Sequence, residues 1–508
     1  MILLINPPLV KPSEPPPGLA RLYGTLGAEG VRCEVIDANI EGLLYLLGKG
    51  ADVCDSWTAR AVKNRARNLE FIRSAQSRLN FDRYKRAVSD LNRLLGKSAE
   101  SSGPARLSLS NYQDSSLSPV RSADLVKAAE KYDTNPFYHY FSNRISNAIE
   151  LFSPSVVGIS LNFLSQALTA FSLIGFIKAR YAGIKVVLGG SLVTSWVRGP
   201  GWKRAFDGLA DLVVSGPGEQ VLLKLAGRDC VAKRSFSYAP FPADHYLSPG
   251  RILPYSASLG CWWNRCSFCP EKAEGTRYDP VPPKEAVREA ARLCAVNRPA
   301  LIHFVDSAMS PALLSRLSEN PPGAPWYGFA RMTKRLADED FCRALKAGGC
   351  VMLKLGLESG DQSVLDSEGK GMELGLATRI LASLKKAGIG AYVYLLFGAP
   401  SESEAQARAT LDFTVRHAPF IDFLNLAVFN MPLNSPDAKR LATAPHYEGD
   451  LSLYTGFRHP KGWDRAKVRR FLDSEFKRHP AIAAILSHDP PLFTSNHAPF
   501  FLRHELQD

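Results

Sequence analysis

The chain of 508 residues reads as an α/β protein with two parallel-sheet domains. An N-terminal doubly wound, Rossmann-like sheet is followed by a partial (β/α)6 TIM-like barrel. Three observations predict this. At this length one core is not enough, and two or three domains are expected. In the first 225 residues, apolar runs end in Gly, Pro, Asn, Asp or Ser with helical stretches between them, as in strands covered on both faces. From residue 254 onward, six strand candidates alternate with helical segments at a more regular spacing.

Composition agrees with a soluble globular chain, at 45% hydrophobic and 22% charged residues. Nine cysteines, six of them scattered, do not form a disulfide framework in so long a chain, and a reducing cytoplasm is the expected compartment. The opening "MILLINPP" has no basic flank and ends at Asn6-Pro7-Pro8, so it reads as a first strand rather than a secretory signal. Residues 151–177 carry no charge and are long enough to span a bilayer. Pro154, Asn162 and Gln166 interrupt them, however, and a buried strand leading into a helix fits better, so no membrane span is expected. The net charge is +13, and residues 60–106 hold twelve Lys/Arg against four Asp/Glu. Without regular aromatic interleaving this block reads as a solvated helical face, not a nucleic-acid platform.

Five strands are expected in the first domain, residues 1–230. Residues 2–5 end at "NPP", 33–36 at "DAN", 156–160 at "LN", 186–188 at "GGS" and 212–214 at "SGPGE". Helices are expected over 18–28 and 166–179. In such sheets the ligand crevice lies at the carboxyl ends of the strands, where these small residues stand. Gly189-Gly190 would let backbone approach a bulky ligand that a Cβ would obstruct. The stretch 41–140 breaks the rhythm and reads as an insertion or a helical layer over the sheet, Arg-rich and helical at first, then loop-like through "GKSAESSGPARLSLSNYQDSSLSP". A linker is expected over 231–253.

The barrel is expected over 254–435, with strands at 255–259, 301–305, 326–330, 351–357, 390–397 and 423–429. Helical segments at 283–296, 339–347, 377–387 and 405–417 separate them, the last behind a capping box at Ser401-Glu402-Ser403-Glu404. Catalytic groups of parallel barrels gather at the carboxyl ends of the strands. Three cysteines follow the first strand; Asp306 ends the second, Arg331 the third, Glu358-Ser359 the fourth, and Gly398 follows the fifth. A C-terminal helical extension is expected over 436–508.

The cysteines form the pattern Cys261-x4-Cys266-x2-Cys269 in "LGCWWNRCSFCPEK", with no fourth cysteine nearby. Structural zinc takes four ligands, so a zinc reading needs His245 or His303 to complete the set. Three incidental cysteines at such spacing are improbable. An iron–sulfur cube held by three thiolates, with one iron open to another ligand, fits better.

At these residues the chain resembles the radical S-adenosylmethionine (radical SAM) enzymes, whose cluster loop the cysteine segment is similar to. "FARMTKRLADEDFCRALKAGGCVMLKLGLESGDQSVLDSEGKG" and "LKKAGIGAYVYLLFGAPSESE" resemble their third to fifth barrel strands. "LLINPP", "PPPGLARLYGTL", "VVGIS", "VVLGGS" and "SGPGE" resemble the cobalamin-binding domain attached to many of them, the class B type methyltransferases and relatives. Two departures stand out. The family's usual cysteine spacing is one residue shorter, and no histidine here sits in the Asp-x-His-x-x-Gly motif that can ligate cobalt.

The resemblance implies a 4Fe-4S cluster on Cys261, Cys266 and Cys269 and S-adenosylmethionine chelated to its open iron. It implies S-adenosylmethionine contacts from Phe268 (adenine), Glu358 with Ser359 (ribose or amino group), Arg331 (carboxylate), Asp306 (ammonium) and Gly398. Cobalamin would lie against Asn6, Pro7, Ser160, Asn162, Gly189, Gly190, Ser191 and Glu219. The implied reaction is methylation of an unactivated carbon through a 5′-deoxyadenosyl radical and methylcobalamin, on a small-molecule or peptide substrate. An electron donor such as flavodoxin or ferredoxin is implied as well. Cyclisation or rearrangement without methyl transfer is the near alternative, and a non-catalytic metal-binding module is the alternative of another class. A methylthiolating RNA-modifying enzyme would carry more N-terminal cysteines than Cys33 and Cys54.

Overall fold

The computed structural model describes all residues except 50–51, 54, 101–102, 204, 446–448, 492–496 and 503–508, so Cys54 lies outside the described residues. The chain divides into two units, Met1–Arg251 with Tyr447–Leu453, and Ile252–His446 with Tyr454–Asp508.

The first unit is built on five parallel strands: β1 (Ile2–Ile5), β2 (Cys33–Ile36), β3 (Val156–Ser160), β4 (Lys185–Gly189) and β5 (Leu212–Val213). They lie in the order β2-β1-β3-β4-β5. Ile2 is level with Cys33 on one side and Val156 on the other. β1 and β3 are buried throughout, as their unbroken apolar runs require when both faces are covered. The chain turns back on itself between β1 and β3, and this switch point is where such sheets open a crevice. Its helices include α1 (Pro17–Ala28), α2 (Ser56–Arg73), α3 (Phe81–Glu100), α4 (Ser122–Glu130) and α5 (Leu164–Arg180). The charge-free stretch 151–177 thus becomes β3 and most of α5, and among the described residues no helix is long and apolar enough to cross a membrane.

The insertion is more ordered than its composition suggests. α3 continues to Glu100 because Tyr84, Val88, Leu91, Leu95 and Ala99 recur at helical spacing on one buried face. Beyond it a hairpin of Ala105–Leu107 with Tyr112–Asp114 stands where a loop was expected, and α4 follows. Buried Asp90 joins the two basic helices, accepting from Trp57 Nε1 at 2.8 Å, Arg60 at 3.2 Å and Asn68 at 3.3 Å. Residues 231–251 do not behave as a linker. Ser237 N bonds Ala20 O, Ser235 N bonds Thr25 Oγ1 and Leu247 N bonds Pro12 O, which lays the segment along α1 and its approach.

The second unit has six parallel strands in the order β11-β10-β9-β8-β7-β6: β6 (Ile252–Tyr255), β7 (Leu301–Met309), β8 (Trp326–Ala330), β9 (Cys350–Glu358), β10 (Gly390–Phe397) and β11 (Phe423–Val428). Among the described residues β11 and β6 do not pair, so the barrel is partial. Its helices are α6 (Pro283–Asn297), α7 (Pro311–Glu319), α8 (Glu339–Ala347), α9 (Leu374–Lys386) and α10 (Glu404–His417). Ile252, Leu301, Tyr327, Met352, Tyr392 and Phe423, from the amino-terminal parts of all six strands, pack with Ala498 and Leu502. The extension from 436 therefore ends by filling the floor of the barrel.

Two expectations need correction. The first barrel strand is Ile252–Tyr255, three residues earlier than 255–259; Ser258–Leu259 instead pairs antiparallel with Asp279–Pro280. The capping box of α10 is Ser403 with Gln406, because the helix begins at Glu404; Ser401 turns to Glu368.

Removing the Asp90 carboxylate deprives Trp57, Arg60 and buried Asn68, all on α2, of their acceptor on α3, at a cost of about 1–3 kcal/mol. Asp90→Ala is expected to speed amide exchange across 56–100 while leaving 301–397 unchanged, measured by hydrogen–deuterium exchange.

Candidate functional site

The cysteine loop grows from a short antiparallel stem, Ser258–Leu259 against Asp279–Pro280. Asp306 fixes the entry to it: Oδ2 accepts from Ala257 N at 3.1 Å and Oδ1 from Ser258 Oγ at 2.5 Å. Burial pushes the Asp306 carboxyl up and these bonds pull it back. Both oxygens are thus engaged by the loop's own base.

The four residues between Cys261 and Cys266 account for the longer spacing. Trp262 Nε1 donates to Met309 O at 3.2 Å and Trp263 Nε1 to Gly369 O at 3.1 Å, so the two indoles pin the loop on opposite sides. Gly371 has φ +61, and a Cβ there would fall 2.2 Å from the Trp263 ring, so only glycine admits this packing. The Arg331 guanidinium lies 4.1 Å from the Trp263 ring centroid and 3.9 Å from Cys266 Sγ, and bonds Lys370 O. A buried cation over an indole contributes about 2 kcal/mol. Arg331 and Lys370 together draw the Cys266 thiol down against the larger opposing effect of burial. The next turn brings Cys269 N to Cys266 O at 3.4 Å.

Beside this loop stands Glu358, the last residue of β9. Its φ of +70 is rare for a side chain of its size, and its Oε1 accepts from Lys370 Nζ at 2.7 Å. Phe268 packs against a small apolar cluster of Ala399, Phe429 and Met431, joined by Leu396 and Phe457, with Lys370 Nζ 5.8 Å from its ring. Ser359 turns inward to Thr410 Oγ1 at 3.1 Å and accepts from Asp361 N. Gly398 N donates to Glu402 Oε2 at 2.6 Å.

Of the residues singled out in the sequence, Cys266, Arg331, Glu358 and Phe268 share one network at the carboxyl end of the barrel, with Cys261 and Cys269 on the same loop. Asp306, Ser359 and Gly398 border it, their bonds made to neighbouring chain. Lys370 was missed; its signal was a lysine between two glycines, in a loop without regular structure. His303, a possible fourth zinc ligand, bonds Lys354 Nζ at 2.7 Å and stacks on Tyr327 inside the barrel. Among the described residues no three His, Cys, Asp or Glu side chains close around one point where a single ion would sit. Three thiols on one loop, the middle one beside Arg331 and Lys370, are the donor set of an anionic cluster of several irons.

In the first unit, Gln166 joins the loops that flank the switch point. Its amide donates to Asn6 Oδ1 at 3.1 Å and Pro7 O at 2.7 Å, and its oxygen accepts from Asn162 N and Phe163 N. Asn162 reaches Ser160 Oγ at 3.0 Å and accepts from Ser191 N at 3.0 Å. Asn6, Pro7, Ser160, Asn162 and Ser191 thus form one connected rim, with Gly189 and Gly190 behind it. Gly190 has φ +117, and a Cβ there would fall 2.2 Å from Leu161 O, so the close approach of the loop after β3 by itself requires glycine. Glu219 stands outside this hydrogen-bonded set, in an ion pair with Arg21 of α1. Asp37, bonded to Asn6 Nδ2 at 2.8 Å and Tyr246 Oη at 2.7 Å, is pushed up to about 6 by burial.

Glu402 is fully buried. Gly398 N and Trp463 Nε1 serve Oε2, while Oε1 has no hydrogen-bond partner, and burial pushes the carboxyl up to about 7. The folded protein therefore holds this proton more tightly than the unfolded chain, and stability falls as pH rises from the ordinary carboxylate range through 7, by about 3 kcal/mol. Glu402→Gln is expected to gain in melting temperature over the parent as pH goes from 5 to 8, read by thermal melts across that range.

Residues 255–414 match the family model of the Radical SAM superfamily. A curated relative, an uncharacterized methyltransferase of Pyrococcus horikoshii, is 24% identical over 308 residues, 53% of this chain and 66% of that protein. The match thus spans just under two thirds of the relative's length. A solved structure of the radical S-adenosylmethionine methyltransferase TsrM from Kitasatospora setae, with cobalamin and a 4Fe-4S cluster bound, superposes with a TM-score of 0.53 at 18% identity, covering 97% of this chain and 92% of that one. The cobalamin-dependent S-adenosylmethionine radical enzyme OxsB, with aqua-cobalamin bound, gives 0.61 at 12% identity, covering 99% and 72%. Residues 255–414 are therefore a radical SAM domain, in a chain that shares its fold with cobalamin-dependent radical SAM enzymes.

Proposed function

We propose that the protein is a cobalamin-dependent radical SAM enzyme that methylates an unactivated carbon of its substrate. The observation that carries this reading is the convergence of Cys266, Arg331, Lys370 and Glu358 on the loop that holds all three cysteines. A four-coordinate structural site would have no use for a cation pair and a carboxylate beside three thiols.

In this reading Cys261, Cys266 and Cys269 hold the cluster through three irons. When bound, the cluster and S-adenosylmethionine supply the carbon radical, and cobalamin supplies the methyl group. Glu358, steered by Lys370, takes the ribose or amino group, and Arg331 faces the carboxylate side with its planar fork of donors. Phe268, Ala399, Phe429 and Met431 offer a dry wall for the adenine and keep water from the reacting carbon. Gly398 lines the turn beside that wall. Asp306 and Ser359 act as positioning residues, the first on the stem of the cysteine loop and the second on the turn after β9.

The rim of Asn6, Pro7, Ser160, Asn162, Gly189, Gly190 and Ser191 suits cobalamin, being made of small and amide-bearing residues at a topological switch point. Glu219 supports it by holding α1. No Asp-x-His-x-x-Gly histidine exists to ligate cobalt from this rim. A one-electron donor of the flavodoxin or ferredoxin class completes the system, and a cytoplasmic setting would supply one.

The test is oxygen-free reconstitution with iron, sulfide and hydroxocobalamin, then desalting and quantitation. The expected outcome is about one cluster and about one cobalamin per chain, with the cluster absorbance lost in Cys266→Ala while the cobalamin stays. Zinc in place of iron would sink the reading. Cluster without cobalamin would leave a radical enzyme lacking the methyl carrier.

A further inference from the structure

The turn between Cys266 and Cys269 is only two residues long, so its shape sets the angle between two of the three thiols. One of these residues, Ser267, is held twice by a single partner. Its backbone N donates to Glu368 O at 3.0 Å, and its hydroxyl donates to Glu368 Oε2. The other carboxylate oxygen, Oε1, accepts from Ser401 Oγ on the loop that follows β10. Glu368 is only 5% exposed, so its carboxylate has exchanged water for these two hydroxyls.

The three residues after Glu368 continue the same grip. Gly369 O receives Trp263 Nε1, Lys370 O receives Arg331 and Lys370 Nζ reaches Glu358, while Gly371 makes room for the Trp263 ring. Residues 368–371 therefore touch the cysteine loop on both sides of Cys266 and tie it to the ends of β8, β9 and β10. A loop one residue longer than usual has more conformations to suppress, and this segment suppresses them.

We propose that Glu368 is a positioning residue for the cluster. Through Ser267 it fixes the Cys266–Cys269 turn, and through Ser401 it keeps that turn in register with the loop after β10, so that the two thiols would hold a cluster in one orientation. This inference rests on the radical SAM reading above. It assigns no step of bond making to Glu368, whose role is to hold geometry.

The experiment compares the full chain, reconstituted without oxygen, with Glu368→Ala, Glu368→Gln, Ser267→Ala and the exposed control Glu404→Gln. The readouts are iron and sulfide per chain, the electron paramagnetic resonance signal of the reduced cluster, and its change on titration with S-adenosylmethionine. Supporting residues around metal sites typically change affinity or activity by 10- to 100-fold when removed. At matched iron content, Glu368→Ala and Ser267→Ala are expected to shift or broaden the cluster signal and weaken S-adenosylmethionine by about 10-fold or more. Glu368→Gln, which keeps one acceptor, should recover much of both, and Glu404→Gln should match the parent. The double variant Glu368→Ala/Ser267→Ala should be no worse than Glu368→Ala. Parent-like signals and affinity in Ser267→Ala would overturn the proposal even where Glu368→Ala fails to load a cluster. A parent chain that loads no cluster would overturn the underlying reading as well, whereas a loaded parent with indifferent variants would overturn this inference alone.

Discussion

The Arg331 guanidinium lies 4.1 Å from the Trp263 ring centroid, with one end toward the Cys266 sulfur and the other bonded to the Lys370 carbonyl. The arrangement around the cysteine loop depends on this contact. A bare guanidinium among thiols could collapse onto any nearby carboxylate. The indole face and the carbonyl hold it in one plane, leaving Glu358 to Lys370. Cation, carboxylate and thiol thereby remain adjacent without neutralising one another in a single pair. Such an arrangement is stable only in a rigid surround, and β8, β9 and the 368–371 segment provide one.

The first unit solves a related problem with neutral groups. Two loops meet at the switch point, and each must keep its backbone groups satisfied. One buried amide, Gln166, does so from between them, bonding Asn6 and Pro7 on one side and Asn162 and Phe163 on the other. Asn162 extends the same set to Ser160 and Ser191, so one buried side chain orders both loops.

Much of this was legible in the sequence, for local reasons. Strands buried on both faces leave unbroken apolar runs, so β1 and β3 were read to the residue and β8 and β10 likewise. The cysteines were legible because thiol spacing carries its chemistry within nine residues. What escaped depended on distant partners. Lys370, Glu368 and Glu402 act through bonds to residues that only the fold brings near. β6 was placed late because Ser256, Ala257 and Ser258 continue an apolar-looking run that in fact leaves the sheet to start the loop stem. Two overlapping Ser-x-x-Glu/Gln patterns preceded α10, and only the helix start at Glu404 chooses between them. Gly190 was read as bare for a ligand; that the Leu161 carbonyl also demands glycine there depends on the fold and left no local signal.

In the floor of the barrel, Ala498 and Leu502 pack with the amino-terminal parts of all six strands, so the last described turn of the chain belongs to the barrel's own core. A chain cut short before residue 498 would bare Ile252 at one edge of the sheet and Phe423 at the other in the same stroke, and the two outermost strands would loosen together.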